Sequence, residues 1–372
     1  MNPKIQQQAK TSIFELSRPD LAECLHNMGQ PAFRSTQVWQ WVWQKRCRDF
    51  AQMTNVSKTL RTSLDQAYSL ELPFLSDLTA SQDGTMKGLL RLFDGSHVEW
   101  VLIPDKDHYT LCLSTQAGCP LACTFCSTGQ MGFQRNLTAG EILSQVLVAH
   151  ETLEKSQTSW PLRNIVFMGM GEPLLNWPQV EKSLHVLRDP SGLGFSHRRV
   201  TVSSVGIPGV LEEFAHTGLA SLAVSLHAPT QDLRQKIMPK AARQFPLPEL
   251  VARLQELPLK PRQRITIEYI LLAGINDSLE QARELNRLLA GIKCKINLIS
   301  FNPAPDLPYA APDPEDVLRF ERFLWSKGQT VTLRKSKGQD IQAACGQLRK
   351  ADEGQTHVHT GPERSDHAQT RF

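Results

Sequence analysis

From about residue 110 to 335 the chain alternates short apolar runs with stretches of helical periodicity. The runs are TLCLST, NIVFMGM, RVTVSS, SLAVSLHA, RITIEYILL, KINLIS and TVTLRKS. Between them lie segments such as Leu137 to about Glu154, 177 to 188, 208 to 217 and SLEQARELNRLLAGI. Parallel strands cannot be joined by a tight hairpin and need a crossover, usually a helix. Six or seven such units therefore imply an α/β fold with a parallel sheet, either open and doubly wound or curled into a full or partial barrel. In either architecture ligand chemistry gathers at the carboxyl ends of the strands.

The flanks read differently. Between about 75 and 115, MKGLLRLF, HVEWVLIP and YTLCLST are β-type runs separated by the turn signals Asp83-Gly84 and Asp94-Gly95, a strand-rich entry to the main domain. Before them, Ser17 can cap a helix with Pro19 and Asp20 in its first turn that stops at Gly29. Val38, Trp39, Val42, Trp43 and Arg46, then Leu60, Leu64 and Ala67, recur at helical spacing, so three short helices result. The tryptophan stripe is expected to be core rather than a base-stacking surface. Residues 1–75 thus read as a small helical accessory domain and 76–350 as the main domain. Residues 351–372, polar and aperiodic, read as a disordered tail.

Lys plus Arg is 41 against 37 Asp plus Glu, and a net +4 is too small by itself to announce a nucleic-acid binder. No apolar run approaches the roughly 18 residues that span a bilayer, and MNPKIQQQAK lacks the apolar core of a signal peptide. A cytoplasmic protein with no membrane association is expected. In that reducing compartment eight cysteines point to metal or catalysis rather than a disulfide framework.

Cys119, Cys123 and Cys126 fall in one loop just past the strand TLCLST, spaced Cys-x3-Cys-x2-Cys, with Phe125 before the last. A structural zinc site would call for a fourth Cys or His nearby, and none is close. Three thiolates on a four-iron cubane leave one iron open for cofactor chemistry. Gly169, Gly171 and Glu172 follow a buried strand, where glycine admits close backbone approach and a carboxylate can accept from an amino group. Ser203, Ser225, His227 and Asn302 end successive strands and would converge on one mouth. Alone, His227 reads as a hydrogen-bonded structural residue and Glu99 as a solvent-facing strand residue. Cys24, Cys47 and Cys294 read as small buried hydrophobes, and Cys112 sits in an apolar strand. Cys345 lies among Arg334, Lys335, Lys337, Arg349 and Lys350, a setting expected to favour a reactive thiolate and to attract phosphate. That loop and His197-Arg198-Arg199 could together form a positive rim.

The cysteine triplet resembles the radical S-adenosylmethionine (SAM) superfamily. With CPLACTFCSTGQMGFQRNL, MGMGEPLLN, RRVTVSSVG, VSLHAP, TIEYILL, INLISFNP and DIQAACGQL in order, residues 15 to 350 resemble the RlmN family of RNA methyltransferases. The resemblance implies a partial (β/α)6-type TIM barrel. It further implies a [4Fe-4S] cluster on Cys119, Cys123 and Cys126, and SAM contacts by Gly171, Glu172, Ser203, Ser225, Leu226, His227 and Asn302. Two SAM molecules would be used per turnover to methylate carbon 2 of adenine in 23S rRNA and tRNA. Cys345 would carry the methyl group, Cys112 would resolve a Cys345-RNA adduct by forming a disulfide, and Glu99 would accept the ring proton. An outside electron donor such as flavodoxin and its reductase is implied, acting on a monomer. Two other readings are carbon-8 methylation of the related Cfr type and a non-enzymatic, zinc-stabilised RNA-binding module.

Overall fold

The computed structural model describes residues 10–348. Its N-terminal unit holds three helices, α1 (Arg18–Asn27), α2 (Phe33–Trp43) and α3 (Lys58–Ala67), bracketed by the short parallel strands β1 (Thr11–Ser12) and β2 (Tyr68–Ser69). Ser17 and Asp20 cap α1 reciprocally, Asp20 N–H donating to Ser17 Oγ at 3.2 Å and Ser17 N–H to Asp20 Oδ2 at 2.9 Å. Gly29 follows the helix at φ +71°, which lets the chain turn away. Trp39 and Trp43 are buried, their rings edge to face at 5.7 Å, so the stripe is core.

Strands β3 (Phe74–Ala80), β4 (Met86–Arg91) and β5 (His97–Asp105) form an antiparallel extension that joins β6 (His108–Cys112). A small ribbon of β7 (Gln116–Gly118) and β8 (Phe133–Asn136) encloses the cysteine loop and the short helix α4 (Ser127–Gln130). The alternation then runs α5 (Ala139–Lys155), β9 (Leu162–Phe167), α6 (Trp177–Arg188), β10 (Val200–Ser204), α7 (Val210–Thr217) and β11 (Ser221–Ser225). Three helices, α8 (Gln231–Ile237), α9 (Pro239–Gln244) and α10 (Leu247–Glu256), lead to β12 (Ile265–Leu271). The series ends with α11 (Leu279–Leu288), β13 (Cys294–Ser300), α12 (Pro314–Ser326) and β14 (Val331–Arg334).

β6 and β9 to β14 pair in parallel, each with its successor in the chain. The sheet order is β14-β13-β12-β11-β10-β9-β6-β5-β4-β3, with β14 and β3 at its two edges among the described residues. This is a partial (β/α)6-type barrel, extended by the antiparallel strands on one side and by β14 on the other. The β7–β8 ribbon was not legible in the hydrophobic pattern, because strands of three and four residues carry no measurable period. Among the described residues no helix is long and apolar enough to cross a membrane.

The N-terminal unit rests on α5 and α6. Glu15 accepts from Thr138 Oγ1 at 2.5 Å and from Gly140 N–H at 3.2 Å, at the start of α5. Arg48 meets Glu151 at 2.8 Å near its end, and Arg18 grips Asp189 beyond α6 with 3.1 and 3.0 Å bonds. Within the extension, Gly88 of β4 faces the fully buried Trp100 of β5 so closely that any Cβ would enter the indole ring. Gly88→Ala should therefore destabilise the protein by about 1–3 kcal/mol, read as a lower urea midpoint with an unchanged slope. An unchanged midpoint would mean that the extension yields freely.

Candidate active site at the carboxyl ends of the parallel strands

The chain leaving β6 stays paired beyond its last strand residue. Leu113 N–H donates to Val166 O and Gly169 N–H to Leu113 O, each at 3.0 Å, and Met170 N–H reaches Ser114 Oγ at 2.8 Å. The Gln145 side chain satisfies both Ser114 N–H (2.8 Å) and Ser114 O (2.9 Å). From this base the cysteine loop is fixed at both ends. Cys119 N–H donates to Gly132 O (2.9 Å) and Cys126 N–H to Cys123 O (3.2 Å). In the middle, Thr124 N–H (2.9 Å) and Oγ1 (3.1 Å) both reach Ile237 O.

All three loop thiols line a cleft of about 850 Å³, partly open to solvent, together with Gly171, Glu172, Ser203, Ser225 and His227. Burial pushes the Cys119 thiol up to about 12, and Cys123 and Cys126 are raised as well, the charges of neighbouring thiolates adding to the burial. A cationic centre reverses that balance, because coordination deprotonates thiols. Cys126 is already turned toward the backbone N–H groups of Gly129 and Thr128, which favour its thiolate. Among the described residues no three His, Cys, Asp or Glu side chains are gathered to hold a single metal ion. Three thiols in one loop supply the donor set of a cubane that leaves one iron without a protein ligand.

Glu172 is buried, its carboxylate accepting from Leu174 N–H and Val205 N–H at 3.0 Å each, yet burial pushes its pKa up to about 7. A cation placed beside it would favour its charged form. Gly171, at φ +98°, lies so close to Gln116 that a Cβ would sit 2.5 Å from Gln116 Cβ. Ser203 and Ser225 hydroxyls are 3.3 Å apart. His227 accepts Ile270 N–H on Nδ1 at 3.1 Å, which places its ring proton on Nε2. Burial lowers its pKa to about 3, so it is neutral at physiological pH, and Phe125 packs edge to face with it at 5.0 Å. Leu226 lines neither this cleft nor the cavity beside it. It is fully buried, its N–H donates to Glu268 O (3.1 Å) and its carbonyl accepts Ala228 N–H (2.8 Å).

A second cavity of about 710 Å³ adjoins the cleft and brings in Cys112, Asn302, Lys335 and Lys337. Cys126, Arg334 and Cys345 line both. Burial, then the nearby Cys345, pushes the Cys112 thiol up to about 12. The Arg334 guanidinium is held charged above its ordinary range chiefly by Cys345, with help from Glu268 and Cys112. Both thiols are free, so no Cys112–Cys345 disulfide is present. Ser127 N–H donates to Gly346 O (2.7 Å) and Thr128 Oγ1 to Leu348 O (2.6 Å) on one side of the Cys345 loop. Gly338 N–H donates to Asp83 (3.0 Å) and Ser81 Oγ to Asp340 (2.6 Å) on the other. Arg349, Lys350 and the tail at 351–372 lie outside the described residues. Cys24, Cys47 and Cys294 line neither cavity.

Two sequence expectations are corrected. Glu99 does not face solvent: it is buried and ion-paired with Lys87 at 3.2 Å, and it lines neither cavity. His197–Arg199 precedes β10, at the opposite end of the sheet from Cys345, so the two basic segments form no single rim. Two residues of the site were missed. Glu268, buried in the apolar strand β12 and bonded to Asn297 at 2.7 Å, was detectable only as an acid inside TIEYILL. Met168 lines both cavities and gave no signal at all.

Residues 11–70 match the ribosomal RNA large subunit methyltransferase N-terminal domain, and residues 113–285 match the radical SAM superfamily. A dual-specificity RNA methyltransferase RlmN from Solidesulfovibrio magneticus is 54% identical over 345 residues, 93% of this chain and 98% of that protein. One of the same description from Nitratidesulfovibrio vulgaris is 54% identical over 92% of this chain and 96% of its own length. A solved radical SAM methyltransferase from Sphaerobacter thermophilus superposes with a TM-score of 0.85 at 40% identity, covering 91% of this chain and 99% of its own. With both domain signatures in place and full-length relatives at this identity, the chain belongs to the RlmN family of radical SAM RNA methyltransferases.

Proposed function

We propose that this protein methylates carbon 2 of adenine in both 23S rRNA and tRNA, through an S-methylated Cys345 and a transient Cys345-RNA adduct. The observation that carries this reading is the meeting of two cavities at Cys345, one lined by the three loop thiols and the other by Cys112. Carbon 2 of adenine is not nucleophilic enough to attack a sulfonium methyl group, so the methyl carrier must deliver a radical. Cys119, Cys123 and Cys126 would hold a [4Fe-4S] cluster with one iron free of protein ligands. When bound, that cluster and a second SAM would supply the radical chemistry that removes a hydrogen atom from the methyl group on Cys345.

Cys345 Sγ first receives its methyl group from one SAM by displacement, the bond's electron pair leaving with S-adenosylhomocysteine. After hydrogen loss the methylene carbon, still on Cys345, adds to the base. The adduct's unpaired electron passes to a one-electron acceptor, which a bound cluster would supply, and Glu99 accepts the ring proton. Cys112 then attacks Cys345 Sγ, the C–S electron pair goes to the methylene carbon, and that carbon takes up a proton to become the methyl group as the disulfide forms. Glu172 is suited to the SAM amino group, with Gly171, Ser203, Ser225 and His227 lining the same cleft and Asn302 the adjoining cavity. The N-terminal helical unit contacts the RNA, whose target base must be extruded to reach Cys345. Electrons come from a donor such as flavodoxin and its reductase.

Protein prepared anaerobically should be brown and carry four irons per chain, and Ala at Cys119, Cys123 or Cys126 should remove both the iron and SAM cleavage. Stoichiometric zinc in a colourless protein would defeat the cluster assignment. The two outer thiols should fail differently. Cys345→Ala should form no covalent RNA complex, whereas Cys112→Ala should trap RNA on Cys345, as denaturing gels and peptide mapping would reveal. An adduct on another cysteine would overturn the order of steps. Finally, 2-methyladenosine should disappear from rRNA and tRNA when the gene is deleted. Positional standards in the mass spectrometer separate that product from the carbon-8 isomer.

A further inference from the structure

Lys87 has no part in the chemistry above. It stands on β4 opposite Val101 of β5, and Val101 stands opposite Cys112 of β6. Opposed residues on paired strands show their side chains on one face. Lys87, Val101 and Cys112 therefore form a row, and Glu99, two positions along β5, lies on the same face. Ile103, two positions the other way, lines the cavity that holds Cys112 and Cys345. The Lys87 ammonium is 3.2 Å from Glu99 Oε1, the two side chains being 16% and 3% exposed. It also donates to the carbonyl of Gln342 at 3.5 Å, within the loop that carries Cys345. One half-buried cation thus joins a carboxylate on the sheet to the loop of the methyl-carrying thiol.

We propose that Lys87 is a positioning residue, holding Glu99 as a carboxylate on the catalytic face and tying it to the Cys345 loop, so that base and methyl carrier share one geometry at the adenine. The proposal rests on the reading of Glu99 as proton acceptor. A carboxylate this deeply buried keeps its charge only with a paired cation. An ammonium suits the place, since its rotatable donors serve an acid and a carbonyl in different directions. The step served is heterolytic. The C2–H bond of the adducted base breaks, its proton passes to a Glu99 oxygen and its electron pair stays in the ring. Lys87 itself neither gives nor takes a proton.

The test uses full-length protein reconstituted anaerobically and RNA with either hydrogen or deuterium at adenine C2. Lys87→Met should still carry a methyl group on Cys345, by mass spectrometry, while product formation falls roughly tenfold. Turnover should also become slower with deuterium than with hydrogen, because proton removal now limits it. Lys87→Arg, which keeps the charge, should restore most of the rate. Wild-type turnover in Lys87→Met would overturn the proposal. So would loss of Cys345 methylation in step with product and no isotope sensitivity, the pattern of a residue that only supports the fold. Glu99→Gln is run beside it. If that protein turns over normally, the base assignment falls and the role of Lys87 falls with it. If Glu99→Gln stalls at the isotope-sensitive step and Lys87→Met does not, the role of Lys87 alone is refuted.

Discussion

The backbone of Gly169 lies directly against that of Leu113, and a Cβ at Gly169 would stand 2.7 Å from Leu113 O. That close approach continues the β6–β9 pairing past the end of both strands. It locks the turn bearing Gly171 and Glu172 to the segment that enters the cysteine loop. The distance from the loop thiols to Glu172 is therefore set by main-chain hydrogen bonds, reinforced by the buried side chains of Ser114 and Gln116. The remaining strand ends, with Ser203, Ser225 and His227, add to a frame already fixed.

Charge in the cleft is sparse, and its buried groups depend on partners. Glu172 and Glu268 are both shifted toward the neutral form by burial, while Arg334 is shifted toward the charged form by the thiols and acid around it. A buried ion without a partner costs several kcal/mol, so the cleft favours ligands that bring the missing charges. An amino group for Glu172 and a cationic centre for the three thiols meet that need. His227, neutral with its proton on Nε2, offers one fixed donor instead of a titrating group.

The parts legible in the sequence are those governed by local rules. Ser17 and Asp20 announce the first helix, the apolar runs announce the parallel strands, and the Cys-x3-Cys-x2-Cys spacing announces three thiols on one loop facing one cleft. What was not legible depends on chain segments far apart. Glu99 has a half-buried strand pattern around it, and only the pairing of β4 with β5 reveals Lys87 as its partner. His197–Arg199 looked like part of the mouth because basic residues near a strand carry no indication of which end they occupy. Strand direction decides that, and it puts them at the amino end of β10. Glu268 and Arg334 come together because parallel pairing sets β12, β13 and β14 side by side.

The residues just after Cys126 hold the residues just after Cys345, through Ser127 N–H to Gly346 O and Thr128 Oγ1 to Leu348 O. Two loops separated by more than two hundred residues of sequence are thereby one mechanical unit. Order in the first is order in the second: whatever firms the cysteine loop also stills the Cys345 thiol, and whatever loosens it lets that thiol wander. Readiness for chemistry is thus registered in the backbone before any RNA arrives.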